Sequence, residues 1–457
     1  MNDQPNHWEE ELRNRQHYLS TNPELAHSTS AYNLSTFEKG IGIANITENR
    51  FSAYWPLSFS DYCIEEHLRD GRIAELNSKL EGSDKQGGYI VLQAITAAGT
   101  PAVINWLRQS LALEVKDIGY ASSKEPGLIT SQFFSIPAAS AERLASLQPP
   151  TDYKIIVTGT TYANEAIAPS MLKGGTHTML LRTKELYENE VLRLKTDILA
   201  KYGVLNYFPT KRFGRRHNSH LLGKLVLAEN FEEAIKDFLC QTSPTEELLI
   251  TRLREVAQSG FPNFEKLDKI FSVLPVTFAN ELAVIRYLHE HPSDYAGAII
   301  QVKHLARQWL FAYGAYIFNA NLSEMAETNG VTNEQLPWTF SPETADKLVY
   351  RRFFERDGIF NGFEVNFIKE LIPERKQMLP GRIHPKNIVC RSSGKGVALS
   401  FFLEGTLPAE TVMANLFNTT NSTPVPEWVD AAGFDAKQIL DQGKLIDVAL
   451  MLSQQNA

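Results

Sequence analysis

The pattern of hydrophobic and polar positions divides the chain into a strand-rich first part, a helical middle and a short return to strands. Apolar runs between Gly, Pro or Asn are typical of strands, and apolar residues at helical spacing are typical of amphipathic helices. The predicted strands are residues 51–57, 61–66, 87–95, 131–136, 153–158, 177–182 and 397–403. The predicted helices are residues 100–111, 183–202, 302–325 and 411–417, followed by a C-terminal helix carrying Ile439, Leu440, Leu445, Ile446 and Leu450.

Three of these helices carry more specific predictions. Thr100 is expected to cap the first, because Pro101 follows it in the first turn. The apolar side of the helix over 183–202 is predicted to be Leu186, Val191, Leu194 and Ile198. The helix over 302–325 has a longer apolar stripe, which we interpret as core packing.

Composition and charge narrow the class of protein. A chain of 457 residues with 43% hydrophobic content predicts a globular protein of two or three domains. The net charge of -8 argues against a generally basic nucleic-acid coat, so any RNA site must be local. Three widely spaced cysteines and a polar N-terminus favour a reduced, cytoplasmic protein without a membrane span. Residues 1–50 are rich in polar residues and are expected to form a surface-hugging extension or a partly disordered arm.

The run from Tyr120 to Gln132 places a cation and a carboxylate side by side, at Lys124 and Glu125. Because a strand pattern follows at residues 131–136, the pair is expected on a connecting loop, where catalytic groups are often found. A solvated surface pair is the alternative interpretation.

A second run, Gly203–Gly214, puts an amide, three aromatic rings and cations on one predicted loop, with Arg215 and Arg216 directly after it. This composition suits a flipped nucleotide, with a ring for stacking, an amide for a base edge and arginines for phosphate. An aromatic core loop with a solvated basic tail is the alternative.

No metal site is expected. His289 and His291 are separated by one residue, but they follow a helical pattern and precede Pro292, which is not a ligand arrangement.

Gly203–Gly214 resembles the Gly-(Val/Ile)-Pro-Asn-Tyr-Phe-Gly-x-Gln-Arg-Phe-Gly signature of the TruD family of RNA pseudouridine synthases; Leu205, Pro209 and Lys211 depart from it. Residues 61–66 are similar to the family run Asp-Phe-x-Val-x-Glu. Residues 173–182 are similar to Gly-Asn-x-Phe-x-x-x-Leu-Arg, and residues 120–132 to Tyr-Ala-Gly-x-Lys-Asp-x-x-Ala-Val-Thr-x-Gln. The resemblance covers about residues 51–420.

The resemblance implies an α+β fold, with a pseudouridine synthase core of mixed or antiparallel sheet and helices, and an inserted, mostly helical domain. It implies the core at 51–224 and 386–420, the insertion at 225–385, and extensions at 1–50 and 421–457. It also implies a cofactor-free isomerase that detaches a uracil, turns it and rejoins it through carbon. The implied partner is RNA, most simply tRNA, and we expect a monomer.

Several positions depart from the family pattern. The essential aspartate is replaced by Glu125, the preceding glycine by Ser122 and the following arginine by Pro126. The family's asparagine in the Gly-Asn turn is Gly175, and a stacking aromatic near the C-terminus falls on Pro408. One extra methylene at Glu125 moves the carboxylate by about a bond length, which a catalytic site tolerates poorly.

Two hypotheses follow. In the first, the chain is an active, divergent synthase in which Glu125 attacks, Lys124 keeps it ionised, Phe208 stacks on the base and Asn206 orders the pocket. Arg212, Arg215 and Arg216 then hold phosphate, and Phe213 belongs to the same RNA-contacting run. In the second, the chain is a catalytically inactive RNA-binding or RNA-folding protein on the same fold.

Overall fold

The structure is a computed structural model. It describes residues 7–28, 34–44, 49–80, 87–149, 154–328, 335–339, 348–359 and 378–449, the last range with gaps at 422–423, 431–432 and 446, and also Leu371 and Leu452.

The strands, in chain order, are β1 (Phe51–Tyr54), β2 (Tyr62–Leu68), β3 (Tyr89–Thr96), β4 (Gly119–Tyr120), β5 (Ile129–Pro137), β6 (Ile155–Ala163), β7 (Leu172–Thr183), β8 (Val204–Leu205), β9 (Gln335–Pro337), β10 (Met378–Pro380), β11 (Arg382–Ile383), β12 (Lys386–Ser393), β13 (Gly396–Glu404) and β14 (Phe417–Thr420). The helices are α1 (His7–Thr21), α2 (Leu34–Gly40), α3 (Thr100–Leu111), α4 (Ala141–Ala145), α5 (Asn189–Tyr202), α6 (Ser219–Leu227), α7 (Phe231–Cys240), α8 (Leu248–Gly260), α9 (Phe264–Phe271), α10 (Ala279–Glu290), α11 (Tyr295–Gln301), α12 (Lys303–Thr328), α13 (Leu348–Arg356), α14 (Ala409–Leu416) and α15 (Ala436–Ile439).

These elements form two compact units. The sheet unit consists of Thr47–Val204, Ile383–Asn421 and Glu427–Ala457, and the helical unit of Met1–Ile46, Leu205–Arg382 and Ser422–Pro426. The longest segment of the helical unit begins at Leu205, whereas the resemblance implies an insertion from residue 225. The reason is packing, because Leu205, Tyr207 and Phe213 belong to the apolar core of the helices.

The sheet unit contains a mixed sheet in the order β12-β13-β7-β2-β5-β3-β6. Its ladders along this order are antiparallel except for β2 with β5, which is parallel. Residues 129–136 of β5 are all buried, as expected for a strand covered on both faces. The predicted α+β class is confirmed by this mixture of a sheet and many helices.

The helical unit is built around α12, the long helix that the sequence predicts over 302–325. Four residues of the predicted apolar stripe lie in the core, namely Trp309, Ala312, Tyr313 and Ile317. The other three, Leu305, Tyr316 and Ala320, are partly buried and pack against it. Helix α6 packs along it so closely that a Cβ at Gly223 would stand 2.1 Å from the carbonyl oxygen of Trp309. Gly223 is therefore required by a helix contact, not by a turn.

The N-terminal segment is more ordered than the sequence suggests. Helix α1 forms, and the buried Glu11 carboxylate accepts hydrogen bonds from the amides of Val276 and Thr277. Ile41 and Ile43 lie in the core of the helical unit. Helix α1 has Glu11 as its buried residue and otherwise lies at the surface, as a surface-hugging extension would. The buried Ile41 and Ile43 show that the segment also contributes to the core.

The prediction of which side of α5 is buried is wrong. The helix starts at Asn189, and its buried residues are Leu192, Thr196 and Leu199. The two leucines pack in the apolar core of the sheet unit. The residues expected inside are exposed: Leu186, Val191, Leu194 and Ile198. Both sets recur at helical spacing, so the sequence alone could not decide which one faces the sheet.

Candidate active site

Lys124 and Glu125 lie in the connection between β4 and β5, as predicted. The start of α3 holds this loop, because the Thr100 amide donates to the Lys124 carbonyl oxygen (3.0 Å) and the Lys124 amide donates to Thr100 Oγ1 (2.8 Å). Gly99 has a φ of +78°, and a Cβ there would stand 2.8 Å from the Lys124 carbonyl oxygen. Gly99 is therefore the N-cap of α3, and the prediction that Thr100 is the cap is wrong.

A buried carboxylate, Glu66, forms hydrogen bonds with the residues on either side of this loop. Ser122 Oγ donates to Glu66 Oε1 (2.9 Å), and Lys124 Nζ donates to Ser122 Oγ (2.8 Å). Gln132 Nε2 and the Phe133 amide donate to the two Glu66 oxygens, at 3.3 and 3.2 Å. Burial raises the pKa of the Glu66 carboxyl, and the nearby Lys124 ammonium and these hydrogen bonds limit the rise.

Gln132 links the two halves of this arrangement. It accepts from Thr100 Oγ1 (2.7 Å) and donates to the Ser122 carbonyl oxygen (2.9 Å). The buried Gln132 side chain thereby joins the backbone at Ser122 to the first residue of α3, Thr100. The exposed Glu125 follows Lys124 on this loop, which the hydrogen bonds of Thr100 and Gln132 hold in place.

A second buried pair lies on the same sheet, where β2 and β7 are neighbours. Tyr62 Oη and His177 Nδ1 are 2.9 Å apart, and the His177 ring stacks on Phe401 with centroids 5.7 Å apart. Burial raises the pKa of Tyr62 well above its ordinary value, and the Glu410 and Glu125 carboxylates add to this rise.

Glu66, Tyr62 and His177 were not among the predicted site residues. A signal for the first two existed, since residues 61–66 are similar to a family run. His177 occupies the place of the phenylalanine in the run that residues 173–182 resemble, so a comparison letter by letter would have singled it out.

The predicted RNA-contacting residues lie in the helical unit. Asn206 is buried, and its Nδ2 donates to the Pro380 carbonyl oxygen (2.7 Å). The Phe208 backbone is bound twice by Asn319, which accepts from its amide (2.8 Å) and donates to its carbonyl oxygen (3.1 Å). The Arg212 guanidinium lies 5.4 Å from the centre of the half-buried Phe208 ring.

The remaining predicted residues of this run differ in exposure. Phe213 is fully buried and packs edge-on against Phe37 and His220. Arg216 donates to the carbonyl oxygens of Gln241 (3.0 Å) and Phe238 (2.9 Å), and burial lowers its pKa to about 10. Arg215 is exposed. The structure thus brings Lys124 and Glu125 together in the sheet unit and the other six predicted residues together in the helical unit.

The described residues contain no group of three or more His, Cys, Asp or Glu side chains that could hold a metal ion. Within the same part of the chain, no helix is long and apolar enough to cross a membrane. The three cysteines, Cys63, Cys240 and Cys390, are buried free thiols.

Known proteins resemble this chain over much of its length. Two relatives named "Probable tRNA pseudouridine synthase D", from Methanosarcina barkeri and Pyrobaculum neutrophilum, are 27% and 26% identical to it over 59% and 58% of the chain. The matched region spans 61% and 62% of those relatives, so this chain matches about three fifths of their length.

A solved TruD structure from Methanosarcina mazei superposes with a TM-score of 0.61 at 20% identity, covering 83% of this chain and 97% of that one. This likeness shows a shared fold. The family profile described as "tRNA pseudouridine synthase D (TruD)" matches residues 58–338, which is more than half of the chain. The chain therefore belongs to the TruD family.

Proposed function

We propose that this chain is an RNA pseudouridine synthase that isomerises a uridine of tRNA, with Glu125 as the carboxylate in place of the family aspartate. The observation that carries the proposal is the support of the Lys124–Glu125 loop by Thr100, Ser122 and Glu66, because a catalytic carboxylate must be held in a fixed place. The names of the relatives give the substrate class.

The proposed reaction conserves all atoms of the nucleotide and needs no cofactor. A Glu125 oxygen attacks the ribose C1′, and the electron pair of the C1′–N1 bond leaves with the uracil. The uracil turns, its C5 forms a bond to C1′, and the carboxylate leaves with the electron pair of its bond to C1′. A base then removes the C5 proton, and N1 takes up a proton. In the alternative first step, the Glu125 carboxylate removes the ribose proton next to C1′.

The other residues have distinct proposed roles. Lys124 holds the loop through its hydrogen bond to Ser122 Oγ and supplies a positive charge next to Glu125 in the sequence. In the helical unit, Phe208 offers a ring for a base, Asn206 orders the adjoining backbone, and Arg212 with the exposed Arg215 binds phosphate.

Arg216 and Phe213 act differently in the proposal. Both are largely buried, and Arg216 already binds two carbonyl oxygens. We assign them to holding the run in place and not to phosphate.

The test is a pseudouridine assay on tRNA and total RNA with the parent chain and its Glu125→Ala, Glu125→Gln and Glu125→Asp variants. Turnover by the parent that falls at least about a hundredfold in Glu125→Ala and Glu125→Gln supports the role of the carboxylate. A fully active Glu125→Gln would refute it, because the amide has the same size but no charge.

A catalytically inactive RNA-binding or RNA-folding protein is the second candidate. It is favoured by the replacement of the family aspartate by Glu125 and of a family aromatic by Pro408. An inactive parent that binds tRNA, and whose Glu125→Asp variant is also inactive, would establish it. The predictions of a monomer and of a cytoplasmic location belong to either candidate.

A further inference from the structure

Five side chains of the helical unit form a continuous run of three aromatic rings with a guanidinium group at each end, which we call the stacking run: Arg307, Phe311, Trp338, Phe208 and Arg212. The Arg307 guanidinium lies 5.6 Å from the centre of the Phe311 ring, and Phe311 and Trp338 have centroids 6.3 Å apart. Trp338 and Phe208 are 5.0 Å apart, and Arg212 closes the run at 5.4 Å from Phe208.

The run combines half-exposed rings with cations at both ends. Arg307, Phe311 and Phe208 are half-buried, Arg212 is exposed, and Trp338 is the buried centre at 6% exposure. Both ends of the run are guanidinium groups, which stack on rings and bind phosphate.

The surrounding sequence makes this part of an acidic protein locally positive. No Asp or Glu occurs between Asp197 and Glu229, or between Asp294 and Glu324, and these two intervals contain Arg212 and Arg307. The exposed Lys211 and Lys303 add further positive charge. An anionic partner with flat rings therefore fits this surface better than any other class.

We propose that the stacking run binds unpaired nucleotides of single-stranded RNA, with bases on Phe208 and Phe311 and phosphates at Arg212 and Arg307. The inference deepens the proposed function, on which it rests for the choice of RNA as partner, but it does not require turnover. Stacking tolerates every base, so the run is expected to prefer single strands without a strong sequence preference.

Binding is measured by fluorescence anisotropy with a labelled single-stranded oligouridine and a labelled RNA hairpin of equal length. Phe311→Leu and Arg307→Gln are each expected to weaken binding of the single strand about fivefold or more. Arg307→Gln should also lower the slope of log K against log salt by about 0.7, as expected for one lost phosphate contact. Arg352→Gln is the matched control, since Arg352 lies 4.9 Å from the Phe353 ring outside the run.

Outcomes separate this inference from the proposed function. Unchanged affinity in both run variants, or equal loss in Arg352→Gln, would overturn it, as would tighter binding of the hairpin than of the single strand. Thermal unfolding checks that Phe311→Leu is folded, and the surface variant Arg307→Gln gives an independent result. If Glu125→Ala and the parent both lack turnover while the run variants lose single-strand binding, the proposed activity fails and the inference stands.

Discussion

At the scale of single residues, Glu66 is a buried carboxylate whose surroundings change its titration. Its folded-state pKa is raised, chiefly by burial, so the folded protein holds this proton to higher pH than the unfolded chain does. Such a group contributes stability that is present below the unfolded pKa and is lost as the pH rises through the folded pKa. The parent chain is therefore expected to lose this contribution on going from acid to neutral pH.

Glu66→Gln removes this titration, and the difference in unfolding free energy between parent and variant should change with pH in that window. Urea unfolding at a series of pH values measures the difference, with the exposed Glu142→Gln as control. A parent-to-variant difference that is constant from acid to neutral pH would contradict the raised pKa.

Some features of the candidate site could be predicted from the sequence, and others depend on contacts between distant residues. Lys124 and Glu125 were predictable because a short strand pattern downstream fixes them on a loop. The bond from Ser122 to Glu66 was not, because these residues are 56 positions apart and no local pattern links them. Arg216 looks like Arg215 in sequence, and only the fold shows that it binds the carbonyl oxygens of Phe238 and Gln241.

At the scale of elements, the position of the β4–β5 loop depends on the start of α3. Gly99→Ala would place a Cβ 2.8 Å from the Lys124 carbonyl oxygen and must displace the loop. Gly71 is the matched control, because its φ is also positive (+96°) but a Cβ there meets nothing within 4 Å. Both variants carry backbone strain of about 1–2 kcal/mol, and only Gly99→Ala is expected to reduce turnover, by on the order of a hundredfold.

The pair of variants is compared in the pseudouridine assay and by thermal unfolding. Equal activity of the Gly99→Ala and Gly71→Ala chains would show that the contact with Lys124 does not position the loop. Since φ is positive at both glycines, both substitutions strain the backbone, and only Gly99→Ala adds the contact with Lys124.

Helix α5 provides the second prediction at this scale, since its sequence contains two apolar stripes. Leu192 is fully buried and Leu194 is 52% exposed. Leu192→Ala is expected to cost about 2–5 kcal/mol of unfolding free energy by leaving a cavity, and Leu194→Ala about 0.5 kcal/mol or less. Urea unfolding of the two variants shows which side of the helix is buried. A larger loss of unfolding free energy in Leu194→Ala than in Leu192→Ala would support the side predicted from the sequence.

At the scale of the whole molecule, both ends of the chain lie outside the region that resembles the family, yet both fold into a unit. The N-terminal Glu11 binds amides at 276 and 277 in the helical unit. At the other end, Leu445, Val448 and Leu452 pack with Cys63 and Ile129 in the sheet unit. The N-terminal contacts could not be predicted because that segment is polar in composition. The C-terminal contacts could not be predicted because no family pattern covers that segment.

A buried ion pair fixes the C-terminal end to the sheet. Lys437 Nζ donates to both Glu65 oxygens, at 2.8 and 2.7 Å, and the Leu76 amide donates to Glu65 Oε1 (2.8 Å). Removing one partner of such a pair leaves an unpaired buried charge. Lys437→Met is therefore expected to cost about 3–5 kcal/mol of unfolding free energy.

The double variant Glu65→Gln/Lys437→Met tests whether this cost comes from the charge left behind. Because it buries no unpaired charge, it is expected to be more stable than Lys437→Met alone, and the two single effects should not add. Lys444→Met is the control, since Lys444 is exposed in the same segment and should change stability by about 0.5 kcal/mol or less. Urea unfolding of the parent, the single variants Glu65→Gln and Lys437→Met, the double variant and the control measures this. If Lys437→Met behaved like Lys444→Met, the ion pair would not hold the C-terminal segment, and the apolar contacts of Leu445, Val448 and Leu452 would be enough to do so.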